Sequence, residues 1–262
     1  MGDLASLVIS RADLYLLSAL RLGGLFFTSP VFGSRYVPGA WKTAFGVVLA
    51  AMILPLVPDP GNLPQTLPGW TLVALKELAV GLVMGYVANL VFVAIQVAGG
   101  FMDIEVGFGI TNIVDPQTGQ ALPLIGNFHQ LLAFLIFLLT NGHHFLIAAL
   151  IRSFQLVPVG AAVAGVTTRE ALVTFFAAMF VTGVKLAAPV IGALFLANLA
   201  LGIVARTVPQ LNIFVVGLPI KLGAGVLLLA VTLPMYLSVL QPLFGRMFSD
   251  LARFLSTLSP AR

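Results

Sequence analysis

Three acidic side chains stand close together in the chain, at Asp103, Glu105 and Asp115. Paired carboxylates can exchange protons with a substrate, so this cluster is the first candidate for acid and base chemistry. All three acids lie on one glycine-rich segment, however, whereas two aspartates in a membrane protease would normally lie on facing helices. The sequence also has no Cys and no G-x-S-x-G, H-E-x-x-H or P-loop pattern. We therefore expect no enzyme activity, no metal and no cofactor.

A second group of polar side chains interrupts the near-continuous apolar run of residues 197–221. It consists of Asn198, Arg206, Gln210, Asn212 and Lys221. Because a cation at the centre of a bilayer costs about 2.5 to 3.5 kcal/mol on insertion scales, these groups need polar partners. Pro209 and Pro219 lack the amide donor of a continuing helix, and Gly217 permits unusual dihedrals. We expect this run to be a re-entrant or connecting element between helices.

Lysines also occur inside apolar segments, where an unpaired cation is costly. Lys76 and Glu77 open the third segment, and Lys185 lies inside the fifth. One interpretation is an ion pair between helices or subunits near a pore, with Glu105 or Asp103 as the partner. The other is that the lysines extend toward a polar boundary, which suits Lys76 best because it lies close to a predicted helix end.

The sequence Asn141-Gly142-His143-His144 interrupts the fourth apolar segment. Histidine changes charge near neutral pH, which would suit a proton relay. Asn-Gly is a strong turn signal, and adjacent histidines on a helix point in different directions, which does not favour a shared metal site. We expect a turn with a polar tip.

Composition favours a membrane protein. Of the 262 residues, 60% are hydrophobic and only 8% are charged, against about 25% charged in soluble domains. The 13 Lys and Arg residues are scattered rather than clustered, so nucleic-acid binding is not expected. Three of them, Arg246, Arg253 and Arg262, lie near the C-terminus, where anionic lipid or a partner could meet them.

The spacing of the apolar runs predicts an all-α integral membrane protein with six or more helical segments. The runs cover residues 14–32, 41–57, 72–98, 128–151, 171–205 and 213–243. Residues 171–205 would span more than about 50 Å as one helix, so this helix either leaves the bilayer or breaks. Pro189 and Gly192 favour a kink or a hairpin of two shorter helices there. Small residues would let helices approach closely, namely Gly81, Gly85, Ala88, Gly192 and Gly202.

Residues 197–221 resemble the signature region of the FliR family, called SctT in injectisomes. The pattern R-x-x-P-Q-x-N-x-F-x-x-G-x-P-x-K lies on Arg206, Pro209, Gln210, Asn212, Phe214, Gly217, Pro219 and Lys221. Further matches extend the resemblance over nearly the whole chain: Arg21 before Pro30-Val31-Phe32, Pro38 with Lys42, Glu77 with Gly81 and Gly85, Ala98-Gly99, Asp103, Gly107, Asp115-Pro116 and Asn141-Gly142-His143.

The resemblance implies a subunit of the export gate of bacterial type III secretion. It implies helical hairpins with Pro- and Gly-broken helices, with a FliP-like part at about residues 1–160 followed by a FliQ-like part at about 161–262. It further implies assembly with FliP and FliQ, and contact with FlhB and FlhA on the cytoplasmic side. The expected location is the bacterial inner membrane, in the flagellar basal body.

The resemblance also implies that residues 107–122 correspond to the family's plug, which closes the pore until an unfolded chain passes. The residues expected to form this plug are Gly107, Phe108, Gly109, Ile110, Thr111, Asn112, Ile113, Val114, Asp115 and Pro116. Judged on its residues alone, the segment favours an ordinary surface loop whose apolar side chains fold onto neighbouring helices.

We therefore expect a protein-conducting gate subunit that passes unfolded flagellar proteins across the membrane. A small-solute transporter is the first alternative, although the two halves of the chain do not match as transporter repeats would. An intramembrane enzyme and the injectisome counterpart of the same gate are the others.

Overall fold

The computed structural model describes residues 11–30, 32–33, 38–61, 63–108, 123–208, 210 and 213–259. Every regular element in these ranges is helical, which confirms the predicted all-α class. A short 3-10 turn, Leu54–Leu56, follows the second helix directly. The α-helices are α1 Ala12–Thr28, α2 Gly39–Ile53, α3 Leu67–Val106, α4 Leu124–Leu139, α5 Gly142–Leu156, α6 Val166–Thr207 and α7 Ile213–Leu258.

Three helices are longer than the hydrocarbon core of a bilayer is thick. α3, α6 and α7 contain 40, 42 and 46 residues. At a rise of 1.5 Å per residue each extends about 60 to 70 Å, against a core of roughly 30 Å. These three and residues 39–56 are long and apolar enough to cross a membrane, and the bent pair α4 and α5 is a fifth candidate if it forms one span.

The predicted hairpin at Pro189 and Gly192 is wrong. α6 is one helix from Val166 to Thr207 with Pro189 inside it, so it is long enough to leave the bilayer, and the kink at Pro189 and Gly192 stays a prediction. α7 likewise contains Pro219, Pro234 and Pro242. Each proline removes one backbone donor, but local adjustments and neighbouring groups satisfy the freed carbonyl in apolar helices.

The predicted re-entrant element at residues 197–221 is also wrong for most of its length. α6 continues to Thr207 and α7 begins at Ile213, so only residues 208–212 connect them. Asn198 and Arg206 are therefore on α6, and Lys221 is on α7. The run before Pro209 is rich in Ala and Leu, the strongest helix formers, and their preference exceeds the effect of the polar interruptions. Pro209 and Asn212 lie outside the described residues.

Two of the three acids on the glycine-rich segment lie on a helix instead. α3 continues to Val106, so Asp103 and Glu105 are on a helix rather than in the glycine-rich loop. Gly107, with φ of 105°, follows the helix in a backbone conformation that side-chain-bearing residues rarely adopt. Gly107 and Phe108 are described, and the rest of the predicted plug, residues 109–122, lies outside the described residues.

The predicted turn at Asn141 and Gly142 is confirmed. Asn141 has a φ of 59°, and the axes of α4 and α5 differ by 68° at this point. The expectation that His143 and His144 point apart is wrong, because their rings lie 4.2 Å from each other. Both occupy the first turn of α5, and their rings meet although neighbouring residues on a helix are offset by about 100°.

Contacts divide the chain into two compact units. Unit 1 comprises Met1–Val91, Phe137–Phe176 and Phe244–Arg262, and unit 2 comprises Phe92–Ile136 and Ala177–Leu243. The core of unit 1 includes Leu17, Leu25, Leu146, Phe154 and Phe254, all at most 1% exposed. The core of unit 2 includes Phe92, Ile95, Ala133, Leu194 and Leu240, also at most 1% exposed. Each unit thus has its own apolar centre.

Candidate functional site

A buried ion pair lies at the centre of unit 1. Arg21 of α1 donates from Nε to Oε2 of Glu77 on α3 at 2.7 Å, and neither side chain is exposed. The guanidinium also donates to the Ser153 hydroxyl at 3.1 Å and to the Val157 carbonyl at 3.0 Å. Its carbon lies 4.2 Å from the centre of the Phe154 ring. The guanidinium of Arg21 therefore contacts an anion, two neutral hydrogen-bond acceptors and an aromatic face.

The carboxylate of Glu77 is shared between two parts of unit 1. Its second oxygen accepts the amide of Gly160 at 2.9 Å, in the connection that follows α5. Gly160 has a φ of 81°, which glycine adopts without strain. The pair thus joins α1 to α3 and both to the end of α5.

Glycines allow α1 and α3 to approach closely enough for this pair. A Cβ on Gly81 would overlap the carbonyl oxygen of Arg21, and one on Gly24 would lie 2.6 Å from the carbonyl oxygen of Leu78. Thr28 adds a hydrogen bond of 2.8 Å to the carbonyl of Leu82. The close approach predicted for Gly81 is therefore present, and a larger residue there would separate the two backbones.

The cluster is an anchor rather than a reactive centre, because protein groups answer both charges and the side chains are sealed from solvent. Losing one member of such a pair leaves an uncompensated charge and costs about 3–5 kcal/mol. Glu77 was among the polar residues picked from the sequence, but Arg21 was noted only for its resemblance. The signal that could have found Arg21 is a lone cation within the first apolar run, which requires an acid elsewhere in the fold.

A second set of polar contacts holds the end of α3 in unit 2. Asp103 accepts the amides of Ile125 at 3.0 Å and Gly126 at 3.2 Å, one on each carboxylate oxygen. These amides belong to the first turn of α4, which has no partners within its own helix. Asp103 therefore acts as a remote cap that joins the end of α3 to the start of α4.

Glu105 joins the same end of α3 to α6. Asn198 donates its side-chain amide to a carboxylate oxygen of Glu105 at 2.5 Å. At the same end of α3, a Cβ at Gly225 of α7 would lie 2.6 Å from a methyl of Val106. The structure thus brings together Asp103, Glu105 and Asn198, which were selected separately from sequence. Neither acid is the ion-pair partner that was considered for Lys76 or Lys185.

The remaining polar residues from the sequence are not brought together. Lys185, Arg206 and Gln210 are exposed, and Lys76 and Lys221 are half-buried. Within the described part of the chain, Arg21 and Glu77 form the one ion pair. An ion pair with a neighbouring subunit and extension toward a polar boundary therefore stay the two interpretations of Lys185. Among the residues that the structure describes, no group of three or more His, Asp or Glu side chains could hold a metal ion.

One face of α6 is apolar and exposed over several turns. Phe195, Leu199 and Ile203 are 62%, 56% and 60% exposed, and their spacing of three or four residues places them on one side of the helix. Gly192 and Gly202 share this side and have no described neighbour within 4 Å of an added Cβ. We call this surface the α6 face, comprising Lys185, Gly192, Phe195, Leu199, Gly202, Ile203 and Arg206.

Sequence comparison gives the chain its relatives. Residues 12–247 match the profile of "Bacterial export proteins, family 1". The chain is 39% identical over 241 residues to the flagellar biosynthetic protein FliR of Bacillus subtilis, covering 91% of this chain and 93% of that protein. It is 31% identical over 250 residues to FliR of Escherichia coli, covering 95% of each. FliR of Aquifex aeolicus is 31% identical over 242 residues.

These matches cover α1 to α6 and most of α7, and the all-α fold with several candidate membrane spans agrees with them. The chain belongs to the FliR family of bacterial export proteins.

Proposed function

We propose that this chain is a subunit of the protein-conducting export gate of the flagellar type III secretion apparatus. In this role it passes unfolded flagellar proteins across the bacterial inner membrane. The observation that carries the proposal is the match to flagellar biosynthetic proteins over more than nine-tenths of both chains. A small-solute transporter is not favoured, because no relative among these matches carries such a name.

The exposed apolar helices support a role as one element of a wall. In the most apolar 18-residue window of α6, only 17% of the residues are buried, and in that of α7 only 11%. Both helices are longer than a bilayer core, so lipid tails alone cannot cover their full length. We propose that FliP and FliQ subunits pack against them, with FlhB and FlhA on the cytoplasmic side.

The exposed polar residues fit contacts between subunits. Arg206 and Lys185 stand at the two ends of the α6 face without an ion pair in the described part of the chain, and Lys221 begins the apolar stretch of α7. A neighbouring subunit would supply the acceptors that a membrane cation requires. The division into a FliP-like part at about residues 1–160 and a FliQ-like part at about 161–262 belongs to the same proposal.

The segment of residues 107–122 is proposed to obstruct the lumen. The observation that supports this role is that Asp103 holds the end of α3, which precedes the segment, against the start of α4, which follows it. Shortening this segment should leak small ions while the gate still assembles. An assembled gate with unchanged conductance would refute this part of the proposal.

No catalytic role is proposed, because nothing in the family match calls for one and the buried acids serve as hydrogen-bond acceptors. The driving force for transport would then come from partners or from the proton gradient. The chain would act as a static wall and not as a motor.

The proposal is tested by deleting the gene in the source bacterium. We expect loss of swimming and of secreted filament protein, both restored by the wild-type chain and not by a frameshifted copy. Secretion of injectisome substrates, measured in the same strains, should not change. Intact swimming in the deletion strain would contradict the proposal, and lost injectisome secretion would assign the chain to that counterpart.

Copurification followed by mass measurement of the intact complex tests the partners. We expect additional chains similar to FliP and FliQ. A homo-oligomer or a lone chain would favour the transporter alternative.

A further inference from the structure

A narrow groove lies between α5 and the C-terminal part of α7, within unit 1. Its volume is about 190 Å³. Its walls are one stripe of each helix, because the lining positions on both helices are spaced by three or four residues. The rings of Phe145 and Phe248, the first lining residue of each stripe, lie 5.0 Å apart and close one end. The other lining residues used below are Ala149, Arg152, Ala252 and Leu255.

Arg152 is the one charged residue of an otherwise apolar lining. It is exposed and forms no ion pair with any described residue. The nearest acid along α7 is Asp250, which helical spacing places on the side of α7 away from the groove. The groove therefore combines an apolar channel with an unanswered guanidinium.

The position of the groove along α7 suits the polar boundary of a membrane. Between Lys221 and Arg246 the helix has no charged residue, and Arg246, Asp250 and Arg253 then follow within eight positions. Because α7 is about twice as long as a bilayer core is thick, its charged end must lie outside the hydrocarbon. The groove lies beside this charged end.

We propose that the groove binds an anionic phospholipid, with an acyl chain between the two helical stripes and the phosphate at Arg152. Guanidinium groups bind phosphate through two parallel hydrogen bonds, and basic pockets between membrane helices bind anionic headgroups. Apolar walls without an acidic side chain favour such a lipid over a zwitterionic one. This inference requires a membrane location and does not depend on the export function.

Native mass spectrometry of the purified full-length chain, with any partners that copurify, tests the site. Wild type should retain anionic phospholipid above its share of the host membrane. R152Q should reduce that retention about tenfold, as expected for the loss of one charged hydrogen-bonding group. A149W keeps the cation but fills the groove, and should reduce retention similarly. R253Q is the matched control, since Arg253 is exposed on α7 outside the lining.

Equal retention by wild type and R152Q would overturn the proposal, as would an equal loss in R253Q. Because Arg152 is exposed, R152Q should remain monodisperse, and its result decides the matter even if A149W does not fold. A photo-reactive residue at position 149 that captures a polypeptide instead of a lipid would also contradict the assignment.

Discussion

Arg21 and Arg206 are the same residue type in comparably apolar helices, yet their burial and their hydrogen-bond partners differ. Arg21 is fully buried and contacts an acid, a hydroxyl, a carbonyl and a ring. Arg206 is exposed at the end of the α6 face and has no ion pair in the described part of the chain. The polar groups around Arg21 on α1, α3 and α5 thus satisfy one another, whereas no described residue forms an ion pair with Arg206 on α6.

Glycines show the same difference. Gly81 and Gly85 lie directly against the backbone of α1, whereas Gly192 and Gly202 on α6 have no described neighbour within 4 Å of an added Cβ. All four were predicted to permit close helix approach. Two do so inside this chain, and the lack of a described neighbour at the α6 pair fits the proposal that a helix from another subunit packs there.

The largest expected effect comes from breaking the internal anchor. R21A should lower the free energy of unfolding by about 3–5 kcal/mol, because Glu77 would remain buried without its cation. Chaotrope titration of the purified chain in detergent measures this. The double variant R21M/E77M removes both charges and should recover most of the loss. If the double variant were as unstable as R21A, the ion pair would not be the cause.

Closing the space between α1 and α3 should have the next largest effect. G81A places a methyl group on the Arg21 carbonyl and should cost about 1–3 kcal/mol through forced separation of the helices. The matched control is G23A, since a Cβ on Gly23 meets nothing within 4 Å. G23A should be neutral or stabilising by up to about 1 kcal/mol, through helix propensity. Similar melting temperatures for the two variants would argue against close contact at Gly81.

Removing the remote cap of α4 should cost less. D103A leaves two first-turn amides without their acceptor and should destabilise unit 2 by about 0.5–2 kcal/mol. D103N keeps one carbonyl acceptor and should retain part of the stability. Hydrogen exchange at the amides of Ile125 and Gly126 reports the cap directly. Unchanged protection in D103A would contradict the remote cap.

The smallest effect on the isolated chain is expected at the α6 face. R206A should change its stability by less than about 0.5 kcal/mol, as exposed substitutions usually do. The same variant should reduce the yield of the copurified complex, as should G202L, which places a bulky side chain where a helix would approach. G23L is the matched control. Full assembly of both α6 variants would mean that this face is not an interface.

The sequence predicted the helical class and the approximate number of segments because apolar length is a local property. It did not predict where helices end. α3 continues from Gly99 to Val106, and α6 continues through Pro189. Where a helix ends, and whether it continues through a proline, depends on neighbouring elements that hydrogen-bond to its backbone or pack against it. A short stretch of sequence does not contain those elements.

The same limit applies to the polar contacts. Asp103 was recognised as an unusual acid, but its role as a cap depends on α4 returning to the end of α3, which chain order does not reveal. Arg21 and Glu77 are 56 positions apart, and only packing identifies them as partners. The exposed set on α6 was easier to select, since cations within an apolar run require a partner somewhere.

Other polypeptides should cover the α6 face if the chain is a gate subunit. A photo-reactive amino acid at Leu199, which is 56% exposed, tests this in living cells. We expect a covalent adduct between this chain and a second membrane polypeptide, identified by mass spectrometry. Adducts with lipid alone, on a chain that remains single, would contradict it.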